Sequence, residues 1–205
     1  MIQVRAVNKP FAQSSEDNKA VILEQLSKLL SDRNHVLEIG SGTGQHAAHF
    51  AANLPHLIWQ PTELEENISG IEMWMQDAAL TNIAKPKALD VAEVLWPFEN
   101  QFDAAFTANT LHIMSINHVE KLFTGLGKVL SKEALFFSYG PYNYNGQFSS
   151  ESNARFDLWL KERNAVSGIR DIDELNVFAS AANMKLVNDI EMPVNNRLLV
   201  WKNLG

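Results

Sequence analysis

The run Leu37-Glu38-Ile39-Gly40-Ser41-Gly42-Thr43-Gly44-Gln45 constrains this chain more than any other. An apolar strand pattern ends there on three alternating glycines and passes straight into a helix pattern. His35 to Ile39 reads as a buried strand and Gln45 to Ala52 as the helix that follows, which leaves the glycines in the turn between them. A glycine turn in that place reaches backbone angles closed to other residues and lets a ligand lie against bare main chain. The run marks a site for a nucleotide-type cofactor.

Spacing narrows the choice. The pattern is E-x-G-x-G-x-G, whereas the dinucleotide fingerprint is G-x-G-x-x-G; the third glycine comes one residue early, and Gln45 stands where the late glycine would lie inside the helix. No Gly-Lys-Ser/Thr follows, so the phosphate loop of the Walker type is excluded.

The 205 residues, 46% of them hydrophobic, suffice for one well-buried domain and are few for two. There is no cysteine, which removes disulfides, thiolate metal sites and a cysteine nucleophile. Met1 to Pro10 has no apolar signal-type stretch and no later run is long enough to span a bilayer, so the expected protein is soluble and cytoplasmic, with no membrane partner. A net charge of −7, spread without long blocks of either sign, repels phosphate backbones and argues against nucleic acid as a partner. Nothing in the sequence sets the oligomeric state.

Along the chain, periodic apolar positions predict a helix from about Glu16 to Leu30, capped by Ser14-Ser15-Glu16-Asp17. A short strand, His56 to Gln60, is expected to stop at Pro61. A helix with Ile68, Ile71 and Trp74 follows, and Ala88 to Val91 ends a third strand. Phe102 to Asn109 reads as the fourth strand, His118 to Leu130 as a helix and Ala134 to Gly140 as the fifth strand. Pro141 to Gly146 reads as a turn-rich loop, Asn153 to Arg163 and Ile172 to Asn183 as helices, and Leu186 to Ile190 with Arg197 to Lys202 as a terminal hairpin around Pro193-Val194-Asn195-Asn196. Alternating strands and helices imply an α/β fold: a mostly parallel sheet covered on both faces, with ligands at the carboxyl ends of its strands.

That rule gathers the glycine turn after strand one, Glu63 after strand two and Asp90 after strand three around one crevice. Glu63 stands 23 positions past Gly40, near the interval at which a carboxylate accepts both hydroxyls of a ribose. Its alternative is an acid placed against a helix dipole, with Glu65 and Glu66 as substitutes. Glu38 is a carboxylate inside an apolar strand; it needs donors, from the turn or from a cationic ligand, or else it is purely structural. His46, His49 and His56 lack a carboxylate at ligand spacing, so no metal site is expected. Trp96 covers an adenine face or packs in the core.

Taken together these features resemble the class I S-adenosylmethionine-dependent methyltransferases, whose first motif has the E-x-G-x-G-x-G form. More narrowly, the chain is similar to the methyltransferase-like protein 26 family, domain of unknown function 938. The narrower resemblance rests on Ser15 to Lys19, Leu37 to His46, Leu57 to Glu63, Ala108 to Ile113, Tyr139 to Tyr142, Ser152-Asn153, Phe156-Asp157, Gly168 to Asp171 and Pro193 to Asn196. Glu63 departs from it, since aspartate is commoner there.

The resemblance implies a Rossmann-like domain over residues 1–205 with a seven-stranded, mostly parallel sheet and one C-terminal antiparallel strand. Residues 141–171 are then an insertion covering the substrate, with Asn153, Phe156 and Arg170 shaping it, or a satellite core. It implies S-adenosylmethionine held by Glu38, Gly40, Ser41, Gly42, Gly44, Glu63, Asp90, Val91 and Asn109. Asp90 and the Val91 amide would meet the adenine, unless Asp90 only caps a turn; Asn109 would touch the methionyl end or the acceptor, or brace its loop. His112, Tyr142 or Asp157 would serve as the base where an acceptor must lose a proton. The implied activity is methyl transfer, to a small molecule before a protein. A non-catalytic binder of the same cofactor is the alternative. A nicotinamide reductase is disfavoured by the early glycine and by the lack of a Tyr-x-x-x-Lys pair. The fourth strand carries no Asn/Asp-Pro-Pro-aromatic word, which in this superfamily accompanies methylation of amino or amide nitrogens.

Overall fold

Val36, Leu37, Glu38 and Ile39 are all buried, as they must be in an interior parallel strand covered on both faces. The computed structural model describes residues 9–98 and 102–205; most of the N-terminal stretch read above for a signal lies outside them. The elements run α1 (Gln13–Leu29), β1 (His35–Ile39), α2 (Gln45–Asn53), β2 (Ile58–Glu63), a 3-10 turn (Glu65–Asn67), α3 (Ile68–Ala78), β3 (Lys87–Ala88), β4 (Phe102–Ala108), α4 (Ile116–Val129) and β5 (Leu130–Gly140). Then follow β6 (Tyr142–Tyr144), β7 (Gln147–Phe148), α5 (Glu151–Arg163), β8 (Arg170–Asp171), α6 (Ile172–Ala181), β9 (Met184–Met192) and β10 (Asn196–Asn203).

Seven strands form one sheet in the order β3-β2-β1-β4-β5-β10-β9, with β10 antiparallel to both neighbours and the other pairings parallel. The chain starts in the middle and winds outward each way, so the switch of direction falls between β1 and β4. The two-residue alternation of strands divides the core. Leu37, Ile39 and Phe136 face one side with Leu122 and Phe123 of α4 and Leu175 of α6. Val36, Phe106 and Phe137 face the other with Ile22 and Leu26 of α1 and Phe50 of α2.

Three expectations are corrected. β2 does not stop at Pro61 but runs on to Glu63. Trp59 bonds outward, its N–H to Asn82 O at 2.9 Å and its carbonyl to Ala84 N at 2.8 Å, and Pro61, two residues on, faces the same outer edge. The donor that proline lacks is therefore missing only where β3 is two residues long. Gln60 Nε2 closes the gap by donating to Pro61 O and Lys85 O, each at 2.9 Å.

α1 begins at Gln13, so Ser14 to Asp17 lie within it and cap nothing. The chain is steered into that helix from outside: Ala12 N donates to Gln45 Oε1 at 2.6 Å. The stretch after β5 is a three-stranded sheet of β7-β6-β8, not a plain loop, because Tyr142 and Asn143 pair in parallel with Arg170 and Asp171 far along the chain.

Candidate active site

The turn between β1 and α2 is bare main chain with open space on one side and tight packing on the other. Gly44 has φ 90°, and a Cβ there would stand 2.9 Å from the Ile71 Cα of α3. Gly42 has φ 56°, yet a Cβ added to it would meet nothing within 4 Å. The turn is thus pressed against α3 behind and against Thr110 beside Gly40, while Gly42 faces outward. Ser41 ties it to the next strand, its N–H donating to Thr62 O at 3.0 Å and its Oγ accepting from Thr62 N at 3.2 Å.

Glu63 reaches this turn. Its Oε2 accepts from Gly42 N at 2.8 Å, and its Oε1 accepts from Leu64 N at 2.9 Å. Parallel pairing in register, Ile39 with Thr62 and Glu63 with Ala88, carries β1, β2 and β3 to one carboxyl edge. Asp90 follows β3 there, exposed, with Oδ1 accepting from Ala92 N at 2.8 Å as a turn cap, and Val91 is buried beside it. Glu38 lies behind the turn, 1% exposed, with Oε2 accepting from Trp59 Nε1 at 2.9 Å. Burial pushes its carboxyl up to about 7, against the pull of the Trp59 and Ser41 hydrogen bonds and with help from Glu63.

At the tip of β4, Asn109 and His112 converge over Gly140: a Cβ there would stand 3.8 Å from Asn109 Oδ1 and 3.7 Å from His112 Nδ1. Both residues line a cavity of about 660 Å³. Its walls are apolar and aromatic, with Ile113, Phe156, Trp159 and Leu160 prominent, and Asn18 of α1 on another side. Phe156 and Trp159 stack with centroids 5.6 Å apart, and His112 meets Phe156 edge-on at 5.3 Å. The glycine turn, Glu63 and Asp90 do not line this cavity; the two compartments adjoin through Asn109 and its neighbour Thr110, which packs on Gly40. Burial, seconded by the Arg170 charge, lowers the His112 imidazole to about 4, so the ring is neutral at physiological pH.

Residues 9–203 match the family model described as "Protein of unknown function (DUF938)". The chain belongs to that family. Among solved structures this DUF938 chain is similar to an O-methyltransferase family protein from Burkholderia thailandensis, with TM-score 0.80, 10% identity, and 93% of this chain and 57% of that one covered. It is also similar to human N-acetylserotonin methyltransferase in complex with SAM (TM-score 0.78, 12% identity, 94% and 53% covered). A third likeness is to an O-methyltransferase family 2 protein from Planctomyces limnophilus in complex with apigenin (TM-score 0.72, 12% identity, 91% and 62% covered). The chain spans somewhat over half the length of each. At these identities the likeness is one of fold, the Rossmann-like fold of methyltransferases.

Two of the three expected bases stand away from the cavity. Tyr142 is buried in the core, its hydroxyl 2.6 Å from Ser138 Oγ, and burial raises its pKa. Asp157 is a brace: Oδ1 accepts from Ile169 N at 2.8 Å and Oδ2 pairs with Lys161 Nζ at 2.6 Å, with the side chain 4% exposed. Neither lines the cavity, whereas Asn153 and Phe156 do. Trp96 packs on Gly125 of α4 within the core. His46 bonds Asn18 Oδ1 through Nε2 at 2.7 Å and His56 bonds Leu30 O at 3.0 Å. Sequence reasoning passed over Trp159 and Trp59; the i, i+3 spacing of Phe156 and Trp159 on α5 was the available signal for the first.

Arg170 holds the His112 loop. Its Nε donates to Leu111 O at 3.0 Å and its Nη2 to Met114 O and to Val166 O, while Ser167 Oγ donates to Ile113 O and Gly168 N to His112 O. A planar fork serves three carbonyls in different directions; an ammonium does not. Arg170→Lys is expected to lower the thermal midpoint by roughly 3–6 °C and to speed hydrogen exchange at Gly168 N, read by NMR. Unchanged exchange at that amide would remove Arg170 from this role.

Proposed function

We propose that this chain transfers a methyl group from S-adenosylmethionine to a small, largely apolar acceptor. One observation carries the reading: the outward, unobstructed main chain of Gly42, with the Glu63 carboxylate 2.8 Å from its amide, lies one strand tip away from an apolar cavity entered past Asn109 and His112. The residues present suit the cofactor. Glu63 offers carboxylate oxygens to the ribose diol, and Asp90 keeps Oδ2 for an exocyclic amine. Gly40, Ser41, Gly42 and Gly44 form the cradle, with Val91 beside the adenine and Glu38 bracing the turn from behind. Within the family, we place the chain with the methyltransferase-like protein 26 group.

The cofactor supplies a methyl group already activated on a sulfonium, so the protein aligns and desolvates the partners. Asn109 sits where donor and acceptor compartments meet and orients both. His112, neutral, accepts a hydrogen bond from the acceptor's hydroxyl or thiol and turns its lone pair toward the donor; its depressed basicity leaves that group un-ionised beforehand, and the proton passes to the imidazole as the new bond forms and from there to solvent. Phe156 and Trp159 clamp the acceptor and exclude water.

The sequestering of Tyr142 and Asp157 favours a second reading, a protein that binds the cofactor without turnover. Calorimetric titration with S-adenosylhomocysteine is expected to give saturable heat, weakened roughly tenfold or more in Asp90→Ala; no heat from the unmodified protein overturns both readings. Incubation with labelled methyl donor and fractionated cell extract then separates them, since tight binding without any labelled product leaves the binder.

A further inference from the structure

Val194 is held where a valine is least at ease. Its φ is 60° and that of Asn195 is 58°, both left-handed, in a turn closed by Asn196 N donating to Pro193 O at 3.4 Å. Asparagine tolerates that region, but a side chain branched at Cβ does not. Val194 is also 84% exposed, so no packing within the chain offsets the strain.

The conformation is imposed from α5. Buried Asn153 donates from Nδ2 to Asn195 O at 3.1 Å and to Ser149 Oγ at 2.8 Å, and Asn195 Nδ2 donates to Ser152 Oγ at 3.1 Å. This clamp sets Val194 at the lip of the large cavity together with Ile113, 58% exposed, and Trp159, 44% exposed. Three large apolar side chains left in water around one opening, one of them strained, mark a surface whose burial is completed by a ligand. Among the described residues one charge of each sign borders the cavity, the exposed Asp17 carboxylate on its wall and the Arg163 guanidinium 3.8 Å from the Trp159 ring centroid, so neither an anion nor a cation is favoured, and the stacked Phe156 and Trp159 suit a flat molecule.

We propose that Val194, clamped by Asn153 in a strained turn, is a specificity residue that closes the cavity lip against an uncharged aromatic acceptor. The proposal rests on the cavity being the acceptor site. The test uses 2-naphthol, an uncharged two-ring probe, titrated by calorimetry into protein saturated with S-adenosylhomocysteine. Val194→Asn relieves the strain and removes the apolar contact: it is expected to raise the thermal midpoint by roughly 2–4 °C, to weaken 2-naphthol roughly tenfold and to leave S-adenosylhomocysteine affinity unchanged. Val194→Ile, which keeps the contact, is expected to bind 2-naphthol within about twofold of the unmodified protein. Saturable S-adenosylhomocysteine binding with no 2-naphthol heat, or with equal 2-naphthol affinity in Val194→Asn, overturns the proposal and leaves the methyltransferase reading standing. Absence of S-adenosylhomocysteine binding removes both.

Discussion

Side chains added at Gly42 and Gly44 are expected to give opposite results. Gly44→Ala places a Cβ 2.9 Å from the Ile71 Cα, a backbone atom that cannot swing aside, on a residue with φ 90°. Overpacking and backbone strain together are worth about 2–5 kcal/mol, a fall in thermal midpoint of roughly 5–15 °C. Gly42→Arg meets nothing within 4 Å and has φ 56°. It loses only the left-handed preference, about 1 kcal/mol and a few degrees, but its side chain fills the space above the turn and abolishes S-adenosylhomocysteine binding. Calorimetry alongside thermal melts reads both. A Gly42→Arg protein that still binds, or a Gly44→Ala protein as stable as the original, would contradict the geometry of the turn.

The second large effect is a dependence of stability on pH. The Glu38 carboxyl is raised from its ordinary 4.5 to about 7, chiefly by burial. A raised acid contributes stability that is complete below the unfolded value of 4.5 and is lost as pH climbs through 7. Over that window the folded protein comes to hold a buried carboxylate at a penalty of roughly 3 kcal/mol. Glu38→Gln keeps an oxygen for Trp59 and never ionises, so it is expected to gain about 2–3 kcal/mol on the original protein between pH 5 and pH 8. The histidines act with the opposite sign: His46 and His112, each lowered to about 4 by burial, lose their contribution as pH falls from 6.5. Urea unfolding of both proteins at the two pH values isolates Glu38, because the histidine contribution cancels in the difference. A stability gap that does not change with pH would refute the assignment.

The strand, glycine turn and helix were readable because each depends on local pattern: apolar residues from Val36, alternating glycines, then a helix without breakers. Glu63 was readable because the sheet rule places successive strand tips on one edge. What could not be read depends on partners distant in the chain. Pro61 stops a strand unless its missing donor faces a two-residue edge strand, which only the pairing with Ala84 and Lys85 reveals. α1 starts early because Gln45, from another helix, receives its entry amide. Tyr142 and Asp157 carry the right atoms for proton transfer, and nothing local shows that Ser138, Ile169 and Lys161 already engage them. The turn at Pro193 to Asn196 was readable, but not the left-handed backbone of Val194 within it, which is fixed with the help of Asn153 some forty residues earlier.

The mooring of α1 to α2 reaches beyond the start of a helix. Ala12 is anchored to Gln45, Asn18 to His46, and Asn18 is at the same time a wall of the apolar cavity. One rigid plate therefore borders both compartments. On the proposed reading, a cofactor that stiffens the glycine turn stiffens the cavity wall with it, and thermodynamic reciprocity makes the resulting coupling between the two occupants equal in both directions. In methyl transfer so proposed, cofactor and acceptor would then arrive as a cooperative pair, with the spent cofactor loosening its grip once the methylated product has gone.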